Sequence, residues 1–406
     1  MTRRPSPRAI AALQASALSL SLLTAACGSA EVEPAFPEGT NGVEIMRLRW
    51  VKHLAPELPN FMIPEMMEKY DRFQPVETST AGWDTDLRRA FIGASVGGLY
   101  CLDLREGETV WRYDLDDPVG SRPLYDPDRK WVYFGADDGF LYALHARSGR
   151  LIWRADTGAE IRRAIYLHEG TLYLVNAGGM VFAVDPENGD ILWRYRRPPM
   201  GGFSSVGCAD VVLRGSVVYT SFADGVFVAL DAVSGAERWT VDLAEEVVIA
   251  TREGDVNLVD ADATPVLVGD TAVGASVSGG VYGLEAETGT VLWTRPDLTG
   301  VTGMESMGKT VYAARTGFGL TAIDASSGVT RWQRRFGIGV LQDPLLYDDV
   351  LLIADSEAGL LAVSTADGRV MQRLDPQQGF FARPSYKAGY LLALGNGGTL
   401  FAMSIH

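Results

Sequence analysis

The 406-residue chain is 47% hydrophobic and 21% charged, with 45 glycines against 19 prolines, a balance that suits a packed protein full of tight hairpins rather than a disordered one. Its net charge of −15 argues against nucleic acid and against broad contact with anionic lipid, since both need a basic face. Only Cys27, Cys101 and Cys208 are present, too few and too scattered for a disulfide framework.

From the N-terminus, Arg3, Arg4 and Arg8 precede an apolar stretch, residues 9–23, and then Thr24-Ala25-Ala26-Cys27. This order reads as a secretory signal over residues 1–26. Small residues directly before a cysteine resemble the lipobox of bacterial lipoproteins, which implies cleavage before Cys27 and acylation of that residue. Loss of residues 1–26 removes three arginines and no acid, so the net charge of −15 becomes −18 in the mature chain. No later segment has the 18 or more continuous apolar residues of a membrane span. The expectation is a lipid-anchored protein outside the cytoplasm. Residues 27–42, rich in Gly, Pro, Ser and Glu, read as a flexible tether. Residues 43–54 alternate as a strand through Ile45, Arg47 and Trp50, and residues 63–73 read as a short helix entered at Pro64.

From there a single pattern repeats: a Gly hairpin, an apolar strand with a small central residue, an Asp or similar, and Gly-x-x-x-Trp. It ends on Trp111, Trp153, Trp193, Trp239, Trp293 and Trp332 in turn, and a seventh copy has Gln372 in the Trp place. The intervals of 42, 40, 46, 54, 39 and 40 residues are the period of a four-stranded propeller blade. Strands such as 172–175 and 226–229 are apolar on both faces, as sheets sandwiched between neighbours must be. The small residue at the centre of the third strand is Cys101, Ala143, Ala183, Ala229, Gly283, Ala322, Ala362 and Ala402 in turn, and it is expected to let the next sheet approach. At position 101 a small buried thiol is expected.

The last copy stops at His406 before any Gly-x-x-x-Trp, and the strand around Trp50 can supply its missing outer member. The predicted fold is therefore all-β: an eight-bladed β-propeller of four-stranded antiparallel blades over residues 43–406, closed by the N-terminal strand. A seven-bladed ring with a free N-terminal arm is the competing architecture. Closure removes free sheet edges that would invite aggregation.

Chemistry is sparse. His53, His145, His168 and His406 fall in different repeats, so neither a His-based metal site nor a Ser/His/Asp triad is suggested. Asp255, Asp260 and Asp262 lack the spacing of an EF-hand. No metal, cofactor or catalytic residue is expected, and the chain is read as a binding scaffold and not an enzyme.

The Gly-x-x-x-Trp blade resembles the pyrrolo-quinoline quinone repeat, whose eight-bladed members include quinoprotein alcohol and glucose dehydrogenases. Those enzymes hold the quinone with adjacent cysteines or a stacking Trp and coordinate Ca²⁺ through Glu, Asn and Asp; here there is no cysteine pair. A nearer resemblance is to the BamB family, the propeller lipoproteins of outer-membrane β-barrel assembly. Residues 255–266 are similar to that family's Leu-x-Asp-x-Asp-x-Thr-Pro segment, and the runs 379–384 and 395–400 are similar to its C-terminal end. The resemblance implies a non-catalytic lipoprotein on the periplasmic face of the outer membrane, assisting insertion of barrel proteins. It also implies that Asp260 and Asp262, with a second loop at residues 203–207 beginning at Phe203, hold a periplasmic domain of the barrel-assembly protein. The second loop lacks the family's Arg. Read from their residues alone, Asp260 and Asp262 can equally be turn residues that satisfy loop amides, and Phe203 an ordinary packing residue. The alternative functions are a quinone-dependent dehydrogenase, or an envelope propeller that binds another protein or a polysaccharide.

Overall fold

A computed structural model of the chain describes residues 34–35, 44–54, 76–84, 86–197, 209–243, 263–336, 339–376 and 379–406. The signal, Cys27, Phe203, Cys208, Asp260, Asp262 and the expected helix at residues 63–73 lie outside the described residues.

Among the described residues eight antiparallel sheets follow one another along the chain, seven of four strands and one of four plus a short added strand. Blade 1 covers residues 82–113, blade 2 covers 124–156, blade 3 covers 166–196 and blade 4 covers 212–242. Blade 5 covers 266–295, blade 6 covers 301–334 and blade 7 covers 345–374. Blade 8 is assembled from both ends of the chain: Ser385–Lys387, Tyr390–Gly395 and Thr399–Ile405 are joined on the outside by Met46–His53. The eight-bladed ring and its N-terminal closure are thus as the sequence predicts. A two-residue strand, Pro34–Ala35, pairs with Leu374 and Arg373 at the outer edge of blade 7.

Why the repeat has its residues is visible at each blade boundary. Phe91, Leu99 and Cys101 of blade 1 pack with Val132, Phe134 and Leu144 of blade 2, and equivalent clusters fill the other gaps, so no blade could bury both its faces alone. Cys101 is fully buried, and burial pushes its thiol up to about 12, far from a reactive thiolate.

The tryptophans act across the gap. Each indole Nε1 donates to a backbone carbonyl in the third turn of the next blade: Trp50 to Leu104, Trp111 to Ala146, Trp153 to Pro186, Trp193 to Ala232, Trp239 to Ala286, Trp293 to Ala325 and Trp332 to Thr365, all at 2.9–3.1 Å. The ring then lies on the glycine of that turn. At Gly189 (φ +80°) an added Cβ would come within 2.7 Å of the Trp153 ring, so this glycine is required twice, by its backbone and by its neighbour. Tyr133, Tyr173, Tyr219 and Tyr312 send their hydroxyls to the same carbonyls as the tryptophans of their own blades.

The central small residue has a reason beyond the approach of the next sheet. Ala143 pairs across strands with Trp153, Ala229 with Trp239 and Ala402 with Trp50, and a Cβ on Gly283 would lie 2.1 Å from the Trp293 indole of its own blade. Small size at this position makes room for the lock. Trp153→Phe keeps most of the ring but loses the bond to Pro186, so a loss of about 1 kcal/mol is expected from urea unfolding. An unchanged midpoint would show that the bond contributes nothing.

Candidate functional site

The connections that carry Phe203 and the Asp260/Asp262 pair span residues 198–208 and 244–262, between the outer strand of one blade and the inner strand of the next. The residues that follow each connection are described and lie close together. The Asp210 amide donates to Thr264 Oγ1 at 3.3 Å, and Ser221 Oγ donates to the Ala263 carbonyl at 3.5 Å. The chain therefore returns to the ring after each connection at neighbouring inner strands.

The same face of the ring carries a feature that the sequence reading did not find. Residues just before the inner strands converge on the propeller axis, where they line a cavity of about 450 Å³. Its wall carries Arg122, Arg162, Arg163 and Arg383 against Asp210 and Asp343, a basic majority within a strongly acidic chain. A second chamber of about 410 Å³ continues from it and shares Thr80, Arg122 and Arg383.

These residues occupy one register. Thr80, Arg122, Ala164, Asp210, Asp343 and Arg383 each stand two residues ahead of an inner strand. A proline follows at Arg122-Pro123, Asp343-Pro344 and Arg383-Pro384, and proline holds the residue before it in extended backbone. The recurring X-Pro before a three-residue inner strand was the available signal. It is weak because X itself is not repeated; only the superposed blades show that X faces the axis.

The wall is partly satisfied from within. Arg383 Nη2 donates to Glu305 Oε2 at 2.6 Å and to the Pro344 carbonyl at 2.8 Å. Arg162 forks onto Asp137, with Nη2 2.9 Å from Oδ2. Asp210 accepts from the Ala164 amide at 2.9 Å and from the Tyr166 hydroxyl at 3.2 Å, while Arg122 lies over the Tyr166 ring at 5.2 Å. Burial, with the Asp210 charge adding to it, holds the Tyr166 hydroxyl far above its ordinary value. Among the described residues, two buried atoms of this wall have no hydrogen-bond partner, Asp343 Oδ1 and Arg383 Nε. Burial also raises the Asp343 carboxyl, against the opposing pull of Arg383 and Arg163.

The quinone and Ca²⁺ of the quinoprotein dehydrogenases do not fit this wall. Among the described residues the first chamber offers no cysteine and no tryptophan, and its four arginines repel a divalent cation from the two aspartates. Trp83, in the second chamber, is committed to Ser385 Oγ at 2.5 Å. Among the described residues no group of three or more His, Cys, Asp or Glu is placed to hold a metal ion.

Against known proteins, the chain matches the family described as outer membrane protein assembly factor BamB, over residues 95–317 and 277–405. It is 22% identical over 294 residues to the outer membrane protein assembly factor BamB of Shewanella oneidensis, covering 61% of this chain and 72% of that one. It is also 29% identical over 171 residues to the quinohemoprotein alcohol dehydrogenase ADH-IIG of Pseudomonas putida, covering 40% of this chain but only 23% of the dehydrogenase. In fold it is similar to BamB from Moraxella catarrhalis, with a TM-score of 0.71 at 17% identity over 89% of this chain and 100% of that chain.

Proposed function

Because the chain belongs to the BamB family of outer membrane protein assembly factors, we propose that it is a non-catalytic scaffold, anchored through lipid on Cys27 to the periplasmic face of the outer membrane. In this reading it assists assembly of outer-membrane β-barrels by holding a periplasmic domain of the barrel-assembly protein. What supports the contact site is that the chain resumes after both connections at neighbouring positions, where the Asp210 amide donates to Thr264 Oγ1. Rigid blades fix the ring, so variation for binding falls to the connections that exceed the minimum length. Residues 244–262 supply apolar Val247, Val248 and Ile249 and end in the acidic pair, a composition suited to a partner's strand edge with a polar rim.

Affinity purification from solubilised envelopes tests this. Wild type should recover the barrel-assembly protein, and changing both Asp260 and Asp262 to Arg should reduce recovery about tenfold while leaving the melting curve intact. Equal recovery with both proteins removes the acidic pair from the site, and recovery with neither removes the function. A Cys27→Ala protein in the same preparation should leave the membrane fraction.

The dehydrogenase relative supplies the second reading. It predicts dye-linked oxidation of alcohols once pyrrolo-quinoline quinone and Ca²⁺ are added to the purified protein. No oxidation is expected from the scaffold.

A further inference from the structure

The geometry points to a small-molecule site in the axial cavity, one that takes a compact hydroxylated carboxylate of the sugar-acid class. Four observations converge on it. The chamber of about 450 Å³ lies in the range of small-ligand sites and is large enough for a monosaccharide acid. Its described lining is rich in arginine for a chain of net charge −15: Arg122, Arg162, Arg163 and Arg383 offset Asp210 and Asp343 on the wall and Asp137 and Glu305 beside it.

The third observation is that the arginines are not equally engaged. Arg162 and Arg383 are tied to Asp137 and Glu305. Among the described residues Arg122 has a ring contact with Tyr166 and no carboxylate partner, and it lines both chambers. A planar guanidinium stacked on an aromatic ring keeps its fork of N–H donors pre-organised, and that fork matches a carboxylate. The fourth is the pair of buried unpartnered atoms, one donor and one acceptor. Arg383 Nε adds a donor for the acid end, and Asp343 Oδ1 an acceptor for a ligand hydroxyl.

The remainder of the wall fits the same chemistry. Thr78, Thr80 and Thr302 give their hydroxyl protons to backbone carbonyls, which leaves oxygen lone pairs to accept from the hydroxyls of a polyol. Among the described residues Phe381 is the only aromatic ring on the first chamber's wall, too little for a stacked planar ligand. Asp210 and Asp343 also explain why a plain inorganic anion is the poorer occupant: they repel a fully charged ion but accept hydroxyl protons.

Calorimetric titration of the full-length mature protein with D-glucuronate and D-gluconate tests this, with glucose and inorganic phosphate as controls. Saturable binding of at least one of the acids is expected, with glucose and phosphate weaker by about tenfold or more. Arg122→Gln should cost about tenfold in affinity for that acid. Arg122→Lys keeps the charge but loses the fork, and should fall on the same side if the first variant fails to fold. The exposed Arg105→Gln serves as the surface control and should bind as wild type does. The inference is overturned if neither acid binds, if glucose or phosphate binds as tightly, or if both Arg122 variants bind like wild type.

Discussion

Deleting residues 43–54 is expected to abolish the cooperative unfolding transition of the propeller. The strand Met46–His53 is the outer member of blade 8 and pairs along its length with Thr399–Ile405. Ile45, Met46 and Leu54 are buried, and each contributes about 1.5–3 kcal/mol. Together they approach the roughly 5–15 kcal/mol that holds a whole domain folded. The strand also brings Trp50, whose indole reaches the Leu104 carbonyl of blade 1, so its loss unlocks a second boundary. The Leu54 carbonyl, which accepts the Tyr100 hydroxyl at 2.6 Å, would be lost as well. What remains is an open ring whose last strand exposes unpaired backbone groups, an edge that promotes association. Circular dichroism melting with light scattering reads both effects. A sharp transition at the wild-type temperature, in a protein that stays monomeric, would mean that the ring holds without its closure.

Gln372 is the second position where a large effect is expected. It stands where every other blade has tryptophan, and the sequence alone makes it look like a decayed repeat. Its side chain is fully buried, and Oε1 accepts from the amides of both Ile45 and Met46 at 2.7 Å while Nε2 donates to the Met46 carbonyl at 2.8 Å. The reason lies in the closure. A tryptophan at this place would need the glycine and carbonyl of a turn between the third and outer strands of blade 8, but that outer strand is Met46–His53 and no such turn joins it to Thr399–Ile405. In its place stand the amides of Ile45 and Met46, which a carboxamide satisfies and an indole cannot. Gln372→Ala should therefore cost about 2–5 kcal/mol in urea unfolding, since burying a donor without an acceptor costs about 1–3 kcal/mol each. Gln372→Trp, although it restores the repeat pattern, should also fall below wild type. A tryptophan variant as stable as wild type would show that the closing amides have another way to be satisfied.

How much the sequence determined depends on whether a feature repeats. Blade number, strand type, the Gly-to-Trp spacing and the role of Trp50 in closing blade 8 were all legible, because each expresses the same local physics in seven or all eight blades: apolar strands buried on both faces, a positive-φ turn and a ring that needs a small partner. Repetition averages away the ambiguity of any single segment. The axial cavity was not legible, although Arg383 stood in a run that drew notice for another reason. Arg122, Arg163, Asp343 and Arg383 are up to 261 residues apart and share no motif. They meet because a closed ring brings one register of every blade to the axis. Gln372 reads as a lapse until blade 8 is seen to lack its turn, and the small third-strand residues read as clearance for the next sheet until their cross-strand pairing with tryptophan is seen. Local pattern decides what each blade is. What faces the axis, and how the two ends of the chain are joined, is decided only by the closure of the ring, because that closure sets distances no window of sequence contains.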